Sequence, residues 1–144
     1  HRYLHSFPTR RSSDLCFVIF MIGKYEIAYV YNINNKGRYF LERVKPYPLA
    51  LREFEKEDDV IDIIEIDLEQ FKNASNSHNI DAFIEINKDF NLSLRRFEDL
   101  FLYYNVPRES VEQIRDHLEK IDGIIDQTRM KAERLYFKKN PDNL

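Results

Sequence analysis

The stretch DDVIDIIEIDLEQFK, residues 58–72, decides what kind of fold this chain can adopt. At helical spacing, Val60, Ile61, Ile64, Leu68 and Phe71 form one apolar stripe. At a period of two, Ile64, Ile66 and Leu68 alternate with acids, as on a half-buried strand. The helical stripe takes in more of the apolar residues. The spacing therefore predicts a helix over about 60–72, with Asp58 or Asp59 as its N-cap.

What lies upstream gives that helix something to cover. YEIAYVY (25–31) is aromatic and β-branched, and RYFLERV (38–44) alternates; both read as strands. NINNKG (32–37) between them holds Asn and Gly, which tolerate a positive φ, so the pair reads as a hairpin. Pro46 and Pro48 end the second strand. LALREFE (49–55) either adds a third strand or opens the next helix. Two or three strands leave one sheet face bare, and the helix at 60–72 is the obvious cover. The fold class is α+β, with a β-hairpin or three-stranded antiparallel sheet backed by a helix over 21–72.

Downstream the pattern turns helical. The polar run NASNSHN (73–79) reads as a linker. A short helix is expected at 80–88. A firmer one follows at 93–105, where Phe97, Leu100, Phe101 and Tyr104 recur at spacings of three and four. Pro107 ends it and suits the first turn of a last helix, where Ser110 and Gln113 have capping-box spacing. From there Val111, Ile114, Leu118, Ile121, Ile125, Thr128, Ala132 and Leu135 hold a/d heptad positions. This is an αα-hairpin with a long C-terminal amphipathic helix, a helical half over 80–137 and a tail at 138–144. A helix of about 30 residues is roughly 45 Å long, and a neighbour of about 13 covers only about 20 Å of it. The far half of the seam needs another partner, either the β/α half of the same chain or a second copy, and an αα-hairpin extended into a homodimer or other protein contact is the preferred reading. The self-association residues expected are Val111, Ile114, Leu118, Ile121, Ile125 and Leu135.

The N-terminal HSFPTRRSSDL (5–15) suggests a basic arm or the start of a signal peptide. Codon by codon, it more closely resembles a common synthetic sequencing adapter translated in one frame. On that reading 1–15 is not native, 16–20 is upstream read-through, and the domain begins at Met21 (21–144), folding equally well without what precedes it. Removing Arg2, Arg10, Arg11 and Asp14 moves the formal charge from −3 to −5. A mildly acidic domain does not favour nucleic acid or anionic membranes. No apolar run is long enough for a spanning helix. The compartment expected is the cytoplasm. The abundance of Ile, Asn, Lys and Tyr, whose codons are AT-rich, suggests a bacterial source.

No motif specifies a reaction, so a non-catalytic interaction or regulatory role is expected, with no catalytic residue, cofactor or metal. Asp58, Asp62, Glu65 and Glu69 share one face of the expected helix opposite its apolar stripe, as a solvated face does. His78 and His117 have no nucleophile or second histidine nearby in sequence, and none of the three glycines sits in a phosphate loop. One alternative stands beside this reading. In EINKDFNLSLRRFEDLFLYYNVP (85–107), a helix, a turn at 90–93 and a second helix give a helix-turn-helix rhythm. The segment NLSLRRFEDLF is similar to the second-helix opening of AraC-type regulators. That resemblance implies DNA binding through 85–105, with Arg95 and Arg96 as contacts. Asn87, where such motifs place a small residue, and Glu98 and Asp99 beside the arginines depart from it.

Overall fold

A computed structural model of the chain describes residues 5–6 and 15–144. It comprises β1 (His5–Ser6), β2 (Cys16–Ile22), β3 (Tyr25–Ile33), β4 (Tyr39–Lys45), β5 (Leu49–Phe54), α1 (Glu57–Ala74), α2 (Ile80–Tyr103) and α3 (Arg108–Lys131). The class is α+β, a sheet backed by a helix and followed by an αα-hairpin. The chain divides into two compact units, one ending at Asn91 and the other covering Leu92–Leu144. The division falls inside α2 rather than in the polar run 73–79.

In the first unit the strands form an antiparallel meander in chain order. The hairpin turn between β3 and β4 works as its composition implies. Asn34 Oδ1 accepts from the backbone N–H of Lys36 and Arg38 at 2.9 and 3.1 Å, and Gly37 takes a φ of +75°. LALREFE resolves as strand β5. The sheet is larger than expected, because residues 16–22 form β2, paired along its length with β3 through a turn at Gly23 (φ +58°). Val18 and Phe20, expected to be upstream read-through, are buried in the core. Equal folding from Met21 is therefore at odds with the packing. β1 pairs with β2 at His5–Ile19 and Ser6–Val18; the rest of the adapter-like segment, save Leu15, lies outside the described residues.

α1 is the helix that the 58–72 stretch implies, longer at both ends. Val60, Ile64 and Phe71 are buried against Ile27, Tyr29, Tyr31, Leu41 and Phe54 of the sheet, with Leu68 and Ile63 packed beside them. Ile61 stands at the exposed edge of the stripe. Lys56 occupies the N-cap and makes no side-chain capping bond, while Asp58 and Asp59 lie within the first turn. Their negative charge there is favourable toward the helix dipole. The start of α2 closes the core, with Ile84 buried and Phe83 edge-on to Tyr47 at 5.8 Å.

Two corrections concern the helices. α2 runs unbroken through 90–93, where a turn was expected. The asparagines that suggested a break instead bond backward along the helix. Asn87 Nδ2 donates to the Phe83 carbonyl at 2.9 Å, and Asn91 Nδ2 to the Asn87 carbonyl at 3.0 Å. Each side chain is satisfied without opening a turn. α3 ends at Lys131, not near residue 137. Ala132 is extended (φ −79°, ψ 147°), and the Arg134 guanidinium gathers the following segment by donating to the carbonyls of Tyr136 and Lys139. α3 begins at Arg108 with Pro107 as N-cap and no side-chain capping bond, so the Ser110/Gln113 box does not form.

Candidate interaction surface

Every residue of the expected seam is now placed. Val111, Ile114, Leu118, Ile121 and Ile125 lie on α3, whereas Leu135 falls beyond its end, as does Ala132. The early stop has removed the last a/d pair from the helix. Val111, Ile114 and Ile121 are half-buried; Leu118 and Ile125 are exposed, Ile125 at 42%. No residue of α3 is buried. Leu135 and Phe137 beyond it are exposed at 69% and 72%. The length argument changes as well. α2 and α3 each have 24 residues, so α3 does not outrun its neighbour. What remains is the exposure of Leu118 and Ile125.

The second half of α2 sharpens that point. Leu94, Phe97, Leu100, Leu102 and Tyr103 fall on all sides of the helix at 100° per residue, and all are exposed. Phe97, Leu100, Phe101 and Tyr104, whose spacing suits an ordinary hairpin core, are themselves exposed. Arg95, Arg96, Glu98 and Asp99 interleave on the side of Leu102 and Tyr103, so the segment is amphipathic, with Leu94, Phe97, Leu100 and Phe101 on its apolar face. Arg95 and Arg96 are exposed on this segment, within a continuous helix that lacks the turn a helix-turn-helix reader requires.

The first unit holds a polar centre that sequence analysis passed over. β4 places Arg43 opposite Tyr29 of β3, on the inner face of the sheet, where Arg43 is only 3% exposed. Its guanidinium lies 4.8 Å from the centroids of both Tyr47 and Phe71, a cation–π arrangement on two rings. Asp67 of α1 supplies the counter-charge, Oδ1 to Arg43 Nη1 at 3.7 Å, and accepts a short hydrogen bond from the Tyr29 hydroxyl. Arg43 Nε and Nη1 have no hydrogen-bond partner. Burial, reinforced by the Asp67 charge, holds the Tyr29 phenol far above its ordinary range. Tyr31, buried and donating to Glu57 at 3.0 Å, is also raised. Burial raises Tyr47 despite the opposing pull of Arg43. The signal was present. Alternation puts Arg43 on one face with Tyr39 and Leu41, and Asp67 falls on the 60/64/67/71 row of α1.

The acids expected to face solvent largely do so: Asp58, Asp62 and Glu65 are exposed, and Glu69 is half-buried. Among the described residues no group of three or more metal-ligating side chains is gathered. His78 lies exposed between α1 and α2, and His117 exposed on α3. A cavity of about 1020 Å³ opens between β2 and α1, floored by Phe20, Ile64 and Leu68 and rimmed by Glu65 and Lys72. A smaller one, about 510 Å³, is lined by charges that pair across it: Lys24 with Asp81 at 3.3 Å, Lys45 with Glu26 at 2.7 Å.

No helix among the described residues is long and apolar enough to cross a membrane. Comparison of the chain with protein-family models, curated proteins and solved structures yields no significant match.

Proposed function

We propose that this chain is a non-catalytic interaction or regulatory module of the cytoplasm, and that its working surface is the helical unit, with the α3 seam at its centre. One observation carries the reading: α3 buries none of its residues, and Leu118 and Ile125 of its a/d row stand exposed. The exposed apolar face of the neighbouring α2 segment, at Leu94, Phe97, Leu100 and Phe101, supports it. An apolar surface of this extent on a free monomer favours association.

Light scattering on the full chain over a rising concentration series tests the proposal. Association is expected, and Leu118→Lys with Ile125→Lys is expected to abolish it, because each lysine places a charge in the seam. A monomer at high micromolar concentration would remove self-association from the proposal.

A further inference from the structure

Granted that the helical unit associates, we infer that the partner is a second copy of this chain, and that the two α3 helices meet antiparallel about a twofold axis between Glu119 and Lys120. The inference rests on area, on charge and on the symmetry of the seam.

The exposed apolar residues of 92–104 and of α3, at 37% to 80% exposure, amount to roughly 1,300 Å². A standard interface buries about 800 Å² on each partner, so there is enough surface for a stable pair. The shape of that surface asks for more than one added helix. The second half of α2 exposes an apolar face at Leu94, Phe97, Leu100 and Phe101, with Leu102 and Tyr103 exposed outside it, and Leu118, Ile124, Ile125 and Met130 widen the open stripe of α3. Two αα-hairpins packed as a four-helix bundle cover both helices at once.

Charge selects the orientation. Residues 108–119 carry Glu109, Glu112, Asp116 and Glu119 against Arg108 and Arg115, a balance of −2. Residues 120–131 carry Lys120, Arg129 and Lys131 against Asp122 and Asp126, a balance of +1. Parallel pairing sets like against like along the rod, whereas antiparallel pairing sets each half against its opposite and opposes the two helix dipoles. The seam has matching symmetry. With the axis between 119 and 120, Val111 meets Thr128 of the second copy, Ile114 meets Ile125, and Leu118 meets Ile121. Every layer then joins an a position to a d position. The flanking e positions bring Arg115 toward Asp122 twice. At the outer ends Arg108 approaches Arg129, a repulsion confined to the first and last turns.

Disulfide trapping on the full chain tests this in a Cys16→Ser background. Val111→Cys and Thr128→Cys chains are mixed and oxidised, and a mixed disulfide is expected to predominate over both homodisulfides. In the antiparallel pair two copies of residue 111 lie about 25 Å apart along the axis, out of reach of each other. A Val111→Cys homodisulfide would show parallel pairing and overturn the inference while self-association stands. Failure of both combinations in a chain that scatters as a dimer overturns it too. A monomer overturns the inference and self-association together. Arg115→Cys mixed with Asp122→Cys, both exposed, provides a second pair free of packing changes, for which a mixed disulfide is again expected.

Discussion

Replacing Asp67 by Ala leaves a guanidinium inside the first unit with no counter-charge. Arg43 is 3% exposed and wedged between two rings, so water cannot take the place of the carboxylate. At 3.7 Å and an effective dielectric near 20, the lost attraction is about 4–5 kcal/mol. That agrees with the roughly 3–5 kcal/mol seen when one partner of a buried pair is removed. The Tyr29 hydroxyl loses its acceptor as well, at a cost of about 1–3 kcal/mol if it finds no other. A loss of about 4 kcal/mol or more is therefore expected, a large share of the roughly 5–15 kcal/mol that holds a small domain folded. Urea unfolding followed by circular dichroism reads this as a midpoint lowered by roughly 2–3 M, taking a slope near 1.5 kcal/mol/M. Removing the whole centre has the opposite character. Arg43→Met, Asp67→Leu and Tyr29→Phe together replace ions with apolar volume, and the triple variant is expected within about 2 kcal/mol of the wild type, or above it. Were Asp67→Ala to cost under about 1 kcal/mol, or the triple variant as much as the single, the view of this centre as a mutually dependent buried pair would fail.

Other outcomes follow from the packing. A chain beginning at Met21 loses Val18 and Phe20 from the core. It is expected to lose about 3–6 kcal/mol of apolar burial, seen as a collapsed or absent thermal transition beside the full chain. Phe20→Ala in the full chain is expected to cost about 3–5 kcal/mol. Gly123→Ala is expected to stabilise α3 by about 1 kcal/mol, since an added Cβ there meets no atom within 4 Å; a raised helix melting temperature checks it. Stability is expected to be independent of the phenols below pH 10 and to fall above it. The unfolded chain releases the Tyr29 proton near pH 10, while the folded chain holds it to far higher pH. Each pH unit in that window then costs about 1.4 kcal/mol from Tyr29 alone. Urea midpoints between pH 9 and 11.5 check the sign.

Local patterns determined much of this protein. The stripe at 58–72 specified α1 and its buried face, because helical spacing aligns Val60, Ile64 and Phe71 whatever they pack against. Asn and Gly specified the β3–β4 turn, since few other residues adopt its backbone. The helical spacing of α3 was legible as far as Thr128, three residues before the helix ends at Lys131. Three things required the tertiary structure. Cys16–Ile22 became a strand only because β3 offers it a full ladder of partners; the apolar run alone does not say whether it belongs to the domain. The asparagines at 87 and 91 favour a turn or a helix equally well in isolation, and their bonds to preceding carbonyls settled α2 as one helix. Asp67 was one acid among many until the sheet set Arg43 opposite Tyr29 and α1 laid the carboxylate over both. Periodicity records which side of an element is apolar. Which charge meets which, and which apolar side stays uncovered, depends on elements distant in sequence, and the open faces of α2 and α3 are visible only once those elements are in place.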